Sequence, residues 1–167
     1  MLIETERLLL RPLTTGDLDA IVELHAMPEV KRRMGAYSRQ SALDRLERNE
    51  QEWDERGHGL VAILERAGGR FLGRSGLKYW PQFNETEVGW VLRPDVWGHG
   101  FATEAGQACL DWGFRALELP YITAMIVPDN RGSIRVAERL GMTPLRSDSI
   151  MDLPVVVYAI ERPQRPE

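Results

Sequence analysis

Apolar and polar positions follow two rhythms along this chain, and the changes of rhythm divide it into elements. Short apolar or alternating runs, "ERLLLRPL", "LVAILE", "FLGRSGLKYW", "NETEVGWVL", "YITAMIV" and "VVVYAIE", read as strands. In the fourth of these Val88, Trp90 and Leu92 share one face. Elsewhere the apolar spacing widens to that of a helix. "TTGDLDAIVELHAM" opens on Thr and Asp and then places Leu18, Ile21, Val22 and Leu24 at helical intervals. "SRQSALDRLERNEQEWDERGHG" predicts a charged surface helix stopped by Gly57, and "KRRMGAY" reads as the link between these two helices. "FATEAGQACLDWGFRALEL" predicts a further helix, and "NRGSIRVAERLGM" a short one with Gly141 as its stop. The proline-rich tail, residues 162–167, is expected to fray.

The predicted order is strand, two helices, three strands, helix, strand, helix and at least one more strand. Three consecutive strands favour antiparallel pairing, while the later strand–helix–strand favours a parallel crossover. A mixed α/β sheet follows, and a purely doubly wound fold does not. The 167 residues suit one domain, taken as 1–167, with a core large enough to need no staples.

Charge and cysteine content narrow the chemistry. A net charge of -4 lacks the basic excess of a nucleic-acid binder. The single cysteine, Cys109, rules out an intrachain disulfide and a multi-cysteine zinc site; on its helix it falls in line with Ala105 and Trp112, which favours packing. His25, His58 and His99 show no metal-ligand spacing, so no metal is expected. The start "MLIETERLLL" is acidic where a secretion signal is basic, and no apolar stretch reaches membrane-spanning length. A soluble, cytoplasmic protein without nucleic-acid or membrane partners is the expectation.

The stretch "RPDVWGHGFATEA", residues 93–105, carries the chemistry: two glycines one residue apart, where a strand hands over to a helix. The first amides of a helix have no intrahelical partner, and the helix dipole places partial positive charge there. Gly98 and Gly100 lack a side chain, so a phosphate can approach the main chain closely, and Thr103 adds a hydroxyl. A plain connecting turn explains the same spacing. The dinucleotide fingerprint fits poorly, since its third Gly or Ala falls on Thr103, and the Gly-Lys-Ser/Thr of a mononucleotide loop is missing.

With "VPDNRGSIRVAERLGM" at matching separation, the segment "EVGWVLRPDVWGHGFATEA" resembles the GNAT N-acetyltransferases. It is most similar to their subfamily that acetylates ribosomal-protein N-termini, whose first strand and helix "ETERLLLRPLTTGDLDAI" also resembles. The resemblance spans residues 3 to about 146. It implies the GNAT fold, a mostly antiparallel twisted sheet flanked by helices. It also implies direct transfer of acetyl from acetyl-CoA to a primary amine, with a protein or peptide N-terminus favoured. A polyamine or antibiotic-like amine acetyltransferase, an acyl-CoA-binding module without turnover and a nucleotide-binding protein are the alternatives; the chain would act as a monomer or homodimer.

The resemblance also implies site residues. The pyrophosphate of acetyl-CoA would lie on the loop formed by Trp97, Gly98, His99, Gly100, Phe101, Ala102 and Thr103. Val91, Leu92 and Arg93 would accompany the pantetheine arm as an added strand does. Asn130 would bond the pantetheine, Ser133 would stand beside the sulfur, and Arg135 would meet a CoA phosphate. Asn130 and Ser133 are also ordinary helix caps, and Arg131, Arg135 and Arg139 also read as a solvated stripe. The sequence departs from the family twice: Asp95 stands at the Gln/Arg position that leads the glycine loop, and Ala137 stands where a tyrosine acid is common. Ser133 is then the candidate acid. Glu87, alternating with Val88, is the candidate base, although a solvent-facing strand carboxylate is the readier explanation of it; Glu85 is the second candidate. A peptide α-amine titrates at about 7.7–8.0 and needs little help, whereas a lysine near 10.4 needs much more. Arg32 and Arg33 would suit a carboxylate-bearing acceptor. Trp80, Phe83 and Tyr37 are exposed-loop aromatics that either line a site or cover the sheet edge.

Overall fold

A computed structural model describes residues 1–164. Its centre is one eight-stranded sheet in the order β1-β2-β3-β4-β5-β6-β8-β7. The strands are β1 (Ile3–Glu4), β2 (Leu8–Pro12), β3 (Leu60–Glu65), β4 (Phe71–Trp80), β5 (Glu85–Leu92), β6 (Tyr121–Ile126), β7 (Thr143–Ile150) and β8 (Leu153–Glu161). The helices are α1 (Leu18–Ala26), α2 (Pro28–Met34), α3 (Arg39–Arg56), α4 (Phe101–Ala116) and α5 (Arg131–Arg139). Every neighbouring pair is antiparallel except β5 and β6, which are parallel because α4 carries the chain back across the sheet.

Each face of the sheet has its own helices and its own apolar cluster. On one face α4 and α5 cover Leu8, Leu10, Leu77, Val88 and Ile122, with Cys109 buried among them. On the other, α1, α2 and α3 cover Leu13, Ala62 and the flank of Val91 with Ile21, Leu24, Val30 and Leu46. The mixed sheet and its parallel crossover therefore match the reading from the sequence. Cys109 packs as expected: its Sγ donates to Ser75 Oγ at 3.7 Å, and burial pushes the thiol up to about 11.

Three elements depart from the expectation. "PEVKRRM" forms α2, with Pro28 in the first helical turn and Gly35 closing it at φ 77, so "KRRM" is helix and not link. β7, "TPLRSDSI", is polar and mostly exposed on both sides; it has no apolar alternation to reveal it and is made a strand by pairing with β8. Arg162 is not frayed: its main-chain N–H donates to Pro120 O at 2.8 Å, and its guanidinium holds the carbonyls of Phe114, Leu117 and Leu119. Residues 165–167 of the tail lie outside the described residues.

Candidate active site

The site begins with a gap in the sheet. β5 and β6 meet at a single register pair, Glu87 with Thr123, and run apart beyond it. Main-chain direction in the free part of β5 follows from its bonds. Thr86 O accepts from Thr123 Oγ1 of β6 at 3.3 Å, and Leu92 O accepts from Trp97 Nε1 at 2.9 Å. On the opposite side, Gly89 O accepts from Ser75 Oγ of β4 at 2.7 Å, and Arg93 N donates to Leu72 O at 2.8 Å. Alternation therefore turns the peptide groups of Val88, Trp90 and Leu92 into the gap, and those of Gly89 and Val91 toward β4. Val91 faces Arg74 in the β4 register and offers the gap its side chain, not its main chain.

At the end of β5 a one-turn 3-10 segment, Pro94–Val96, leads into the glycine loop. Gly98 and Gly100 adopt φ 78 and 80, the left-handed region that other residues enter at a cost of about 1–2 kcal/mol. A Cβ at Gly98 would meet no atom within 4 Å, so the conformation and not protein packing demands glycine there. No side chain caps α4, and its first bond runs from Glu104 N to Gly100 O. Among the described residues the amides of 98–103 donate to no protein group. Trp97 and His99 are exposed; Phe101, Ala102 and Thr103 are half-buried.

Asp95, the departure from the family pattern, turns away from the loop and pairs with Arg70 and Arg93, while Arg93 also bonds Glu23 at 2.8 Å. Arg7, which the sequence did not single out, supports the loop. Its Nη1 donates to His99 O at 2.8 Å, its Nε donates to Glu104 Oε2 at 2.7 Å, and its guanidinium lies 4.3 Å from the Phe101 ring centroid. A residue just before β2 thus ties the glycine loop to the first turn of α4. No spacing signal could show this, because the partners lie over ninety positions apart.

Across the gap, Asn130 caps α5: its Oδ1 accepts from Ser133 N at 3.2 Å. Ser133 Oγ accepts from Trp90 Nε1 at 3.2 Å, which leaves its own hydroxyl proton free. Arg131 and Arg135 line a shallow depression on the outer face of α5 together with Pro128 and Ile134. Ala137 is fully buried, so no side chain from that position reaches the gap.

The two candidate carboxylates have opposite surroundings. Glu85 is clamped by Arg146 through two bonds of 2.8 Å and by Tyr121 at 3.1 Å, and the guanidinium holds it below the usual carboxylate range. Glu87 is half-buried in the wall of the cavity, not solvent-facing. It accepts from Trp80 Nε1 and from Met125 N at 3.2 Å. Burial raises its pKa, while those bonds and the charges of Lys78 and Arg74 pull the other way.

Glu87, Ser133, Asn130 and the cleft side of β5 line one cavity of about 860 Å³, large enough for a small ligand and the reactive end of a second. Its other wall comes from α2 and α3. Tyr37 and Trp80 belong to it; Phe83 does not, lying under Arg146 at 5.6 Å. The sequence reading missed Arg74, Lys78, Arg45 and Arg48, which also line it. Alternation in "FLGRSGLKYW" sets Arg74 and Lys78 opposite Leu77, but nothing local shows that their face is roofed.

A β-sheet parted next to a glycine-rich helix start, with a carboxylate and a serine on one cavity, can hold an extended phosphate-bearing ligand beside a proton acceptor. The acetyltransferase (GNAT) domain family matches residues 7–143, and the chain belongs to that family of acetyl-CoA-dependent N-acetyltransferases. An uncharacterized N-acetyltransferase of Bacillus subtilis, YnaD, is 30% identical over 146 residues, covering 85% of this chain and 82% of that protein. The crystal structure of an acetyltransferase from Agrobacterium tumefaciens superposes with a TM-score of 0.84 at 35% identity, covering 96% of this chain and 94% of the other. The ribosomal L7/L12 α-N-protein acetyltransferase RimL, solved in complex with coenzyme A, shares the fold at 17% identity and TM-score 0.81, covering 96% and 98%. Among the described residues no helix is long and apolar enough to cross a membrane, and no group of His, Cys, Asp and Glu is arranged to hold a metal ion.

Proposed function

We propose that this protein transfers acetyl from acetyl-CoA to a primary α-amine, by direct attack in the gap between β5 and β6. The observation that carries this reading is the shared cavity: Glu87 and Ser133 line it from opposite sides of the parting strands. The pyrophosphate fits the bare amides of 98–103, with Arg7 fixing the loop. The pantetheine runs along the exposed peptide groups of Val88, Trp90 and Leu92 as an added strand, with Asn130 beside it. Arg131 and Arg135 suit the remaining CoA phosphate.

The ammonium of the acceptor gives a proton to Glu87, whose raised pKa makes it a better acceptor than a free carboxylate. The nitrogen forms a bond to the thioester carbon, and the Leu92 amide stabilises the developing oxyanion. The C–S bond breaks, the leaving sulfur takes the hydrogen bond of the Ser133 hydroxyl, the nitrogen passes its remaining excess proton through water to the thiolate, and Glu87 returns its proton to solvent. A free alkyl thiol titrates near 8.5, so this help is small.

The fold shared with RimL supports a peptide N-terminus as the acceptor. Six cationic side chains line the cavity against three acidic ones, which opposes a polyamine. Thiol release measured with acetyl-CoA and a panel of α-amine peptides, ε-amine lysine derivatives and spermidine tests the reading. Turnover of α-amines above the others is expected; preference for spermidine would reverse it.

A further inference from the structure

The acceptor end of the cavity holds more positive charge than its own carboxylates neutralise. Arg32, Arg33, Arg45, Arg48, Arg74 and Lys78 line it against Glu52, Glu87 and Asp129, in a chain whose net charge is -4. Asp129 is taken by Arg33 at 3.4 Å. Among the described residues Arg74 and Arg45 form no ion pair, although Arg74 is half-buried. Removing an unpaired guanidinium from water is costly unless a partner arrives.

Arg45 is also held in place. Arg45 lies 4.5 Å from the Tyr37 ring centroid, and the other neighbour of that ring is His25, stacked at 3.8 Å and 6°. His25 is buried, and neither ring nitrogen has a hydrogen-bond partner. Burial and the charges of Arg74 and Arg45 push it down to about 3, so it remains a neutral plate and adds no competing charge. The cost of burying an unsatisfied imidazole is sustained where it orders a guanidinium.

Between the cations and the base the floor is bare. Arg74 stands opposite Val91, Lys78 opposite Glu87, and Gly76 opposite Gly89 between them. Gly89 does not have a positive φ, and a Cβ there would meet nothing within 4 Å. Neither backbone conformation nor packing calls for glycine; the open space lies along the line from Arg74 to Glu87. Those two positions are separated by about 13 Å of strand at roughly 3.3 Å per residue, and both side chains reach inward, leaving room for a short bifunctional molecule.

We infer that the acceptor bears a carboxylate within about one residue of its reactive amine, that Arg74 and Arg45 bind this carboxylate, and that Gly89 leaves room for the link between the two groups. The inference rests on the acetyl-transfer reading for the role of the amine, but the anion seat has its own readout. The carboxylate comes either from the acceptor's side chain, as in a peptide starting with Asp or Glu, or from the α-carboxylate of a free amino acid.

Initial rates at saturating acetyl-CoA test it with Asp- and Glu-initiated peptide amides, their Asn and Gln counterparts, free glutamate, glutamine amide and O-phosphoethanolamine. One carboxylate-bearing arm is expected to exceed its amide counterpart at least tenfold in kcat/KM. Arg74→Gln is expected to erase that preference by raising KM for the carboxylate-bearing acceptor. Gly89→Val is expected to block all acceptors while CoA affinity stays the same. Equal rates for carboxylate and amide, a preference for the phosphate, or a uniform loss in Arg74→Gln overturns the inference. Calorimetric binding of the N-acetylated Glu and Gln peptides to wild type and Arg74→Gln gives the independent readout. Tighter binding of the Glu product that depends on Arg74, without any turnover, keeps the anion seat and refutes acetyl transfer; equal binding refutes the seat.

Discussion

The two halves of the proposed site are built from different materials. The half we assign to the cofactor is made of main chain: unpaired amides at 98–103, free peptide edges on β5, and glycines that keep side chains away. The half we assign to the acceptor, in the cavity, is made of side chains from β4, β5, α2 and α3, with a glycine only as clearance. A main-chain site recognises a phosphate or an amide, groups common to every reaction of its class. A side-chain site recognises whatever its particular charges complement, and it can change without disturbing the fold.

This contrast can be broken most sharply at the loop. Replacing both Gly98 and Gly100 with Val places branched residues at φ near 80 and fills the approach to the amides. CoA affinity measured by calorimetry is expected to fall at least 100-fold, about 2.7 kcal/mol; an unchanged Kd would remove the basis for placing the pyrophosphate there.

Next in size is Glu87→Gln. We expect kcat to fall by about 100-fold, the low end for loss of a general base, with CoA affinity unchanged and the acid limb of the pH–rate profile abolished. Stability offers a second check. A carboxylate whose folded pKa is raised contributes stability below its ordinary pKa and loses it as pH rises through the raised value. Glu87→Gln is therefore no less stable than wild type at neutral pH by thermal melting, and a lower Tm there would contradict the assigned burial.

Smaller effects separate support from contact. Arg7→Gln leaves the glycines and amides in place but frees His99 O, so CoA affinity should weaken by about tenfold, the scale of one charge-assisted bond. Ser133→Ala should lower kcat by about tenfold or less, because a thiolate is already a fair leaving group. A last effect, on stability and not on the reaction, concerns His25. Its folded pKa of about 3 lies below the ordinary 6.5, so the stability it contributes is present above 6.5 and is lost as pH falls toward 3. His25→Phe should flatten the acid side of the stability curve, by roughly 1–3 kcal/mol across that window in urea melts; an unaltered slope would mean the ring is accessible to protons.

The glycine turn was legible in the sequence to the degree that it is local. Two glycines between an alternating run and a helical run mark a strand-to-helix turn with free amides, and that turn is where it stands. Glu87 illustrates the limit. Alternation with Val88 correctly sets it on the opposite face, but whether that face meets water or a roof depends on α2 and α3, some thirty to sixty positions earlier. α2 itself was missed although Pro28 and Gly35 bracket it, because seven residues with one buried apolar position give no measurable period.

The sequence by itself determined the alternating strands, the helices with clear periods, the mixed sheet and the glycine loop, since each follows from neighbours within one or two turns. Only the tertiary structure decided that β5 and β6 part beyond Glu87, that Arg7 supports the loop, and that Arg74, Arg45 and Glu87 share one cavity. The reason is physical: periodicity reports which face of an element is apolar, whereas charge, burial and proximity in the site depend on which distant element covers that face.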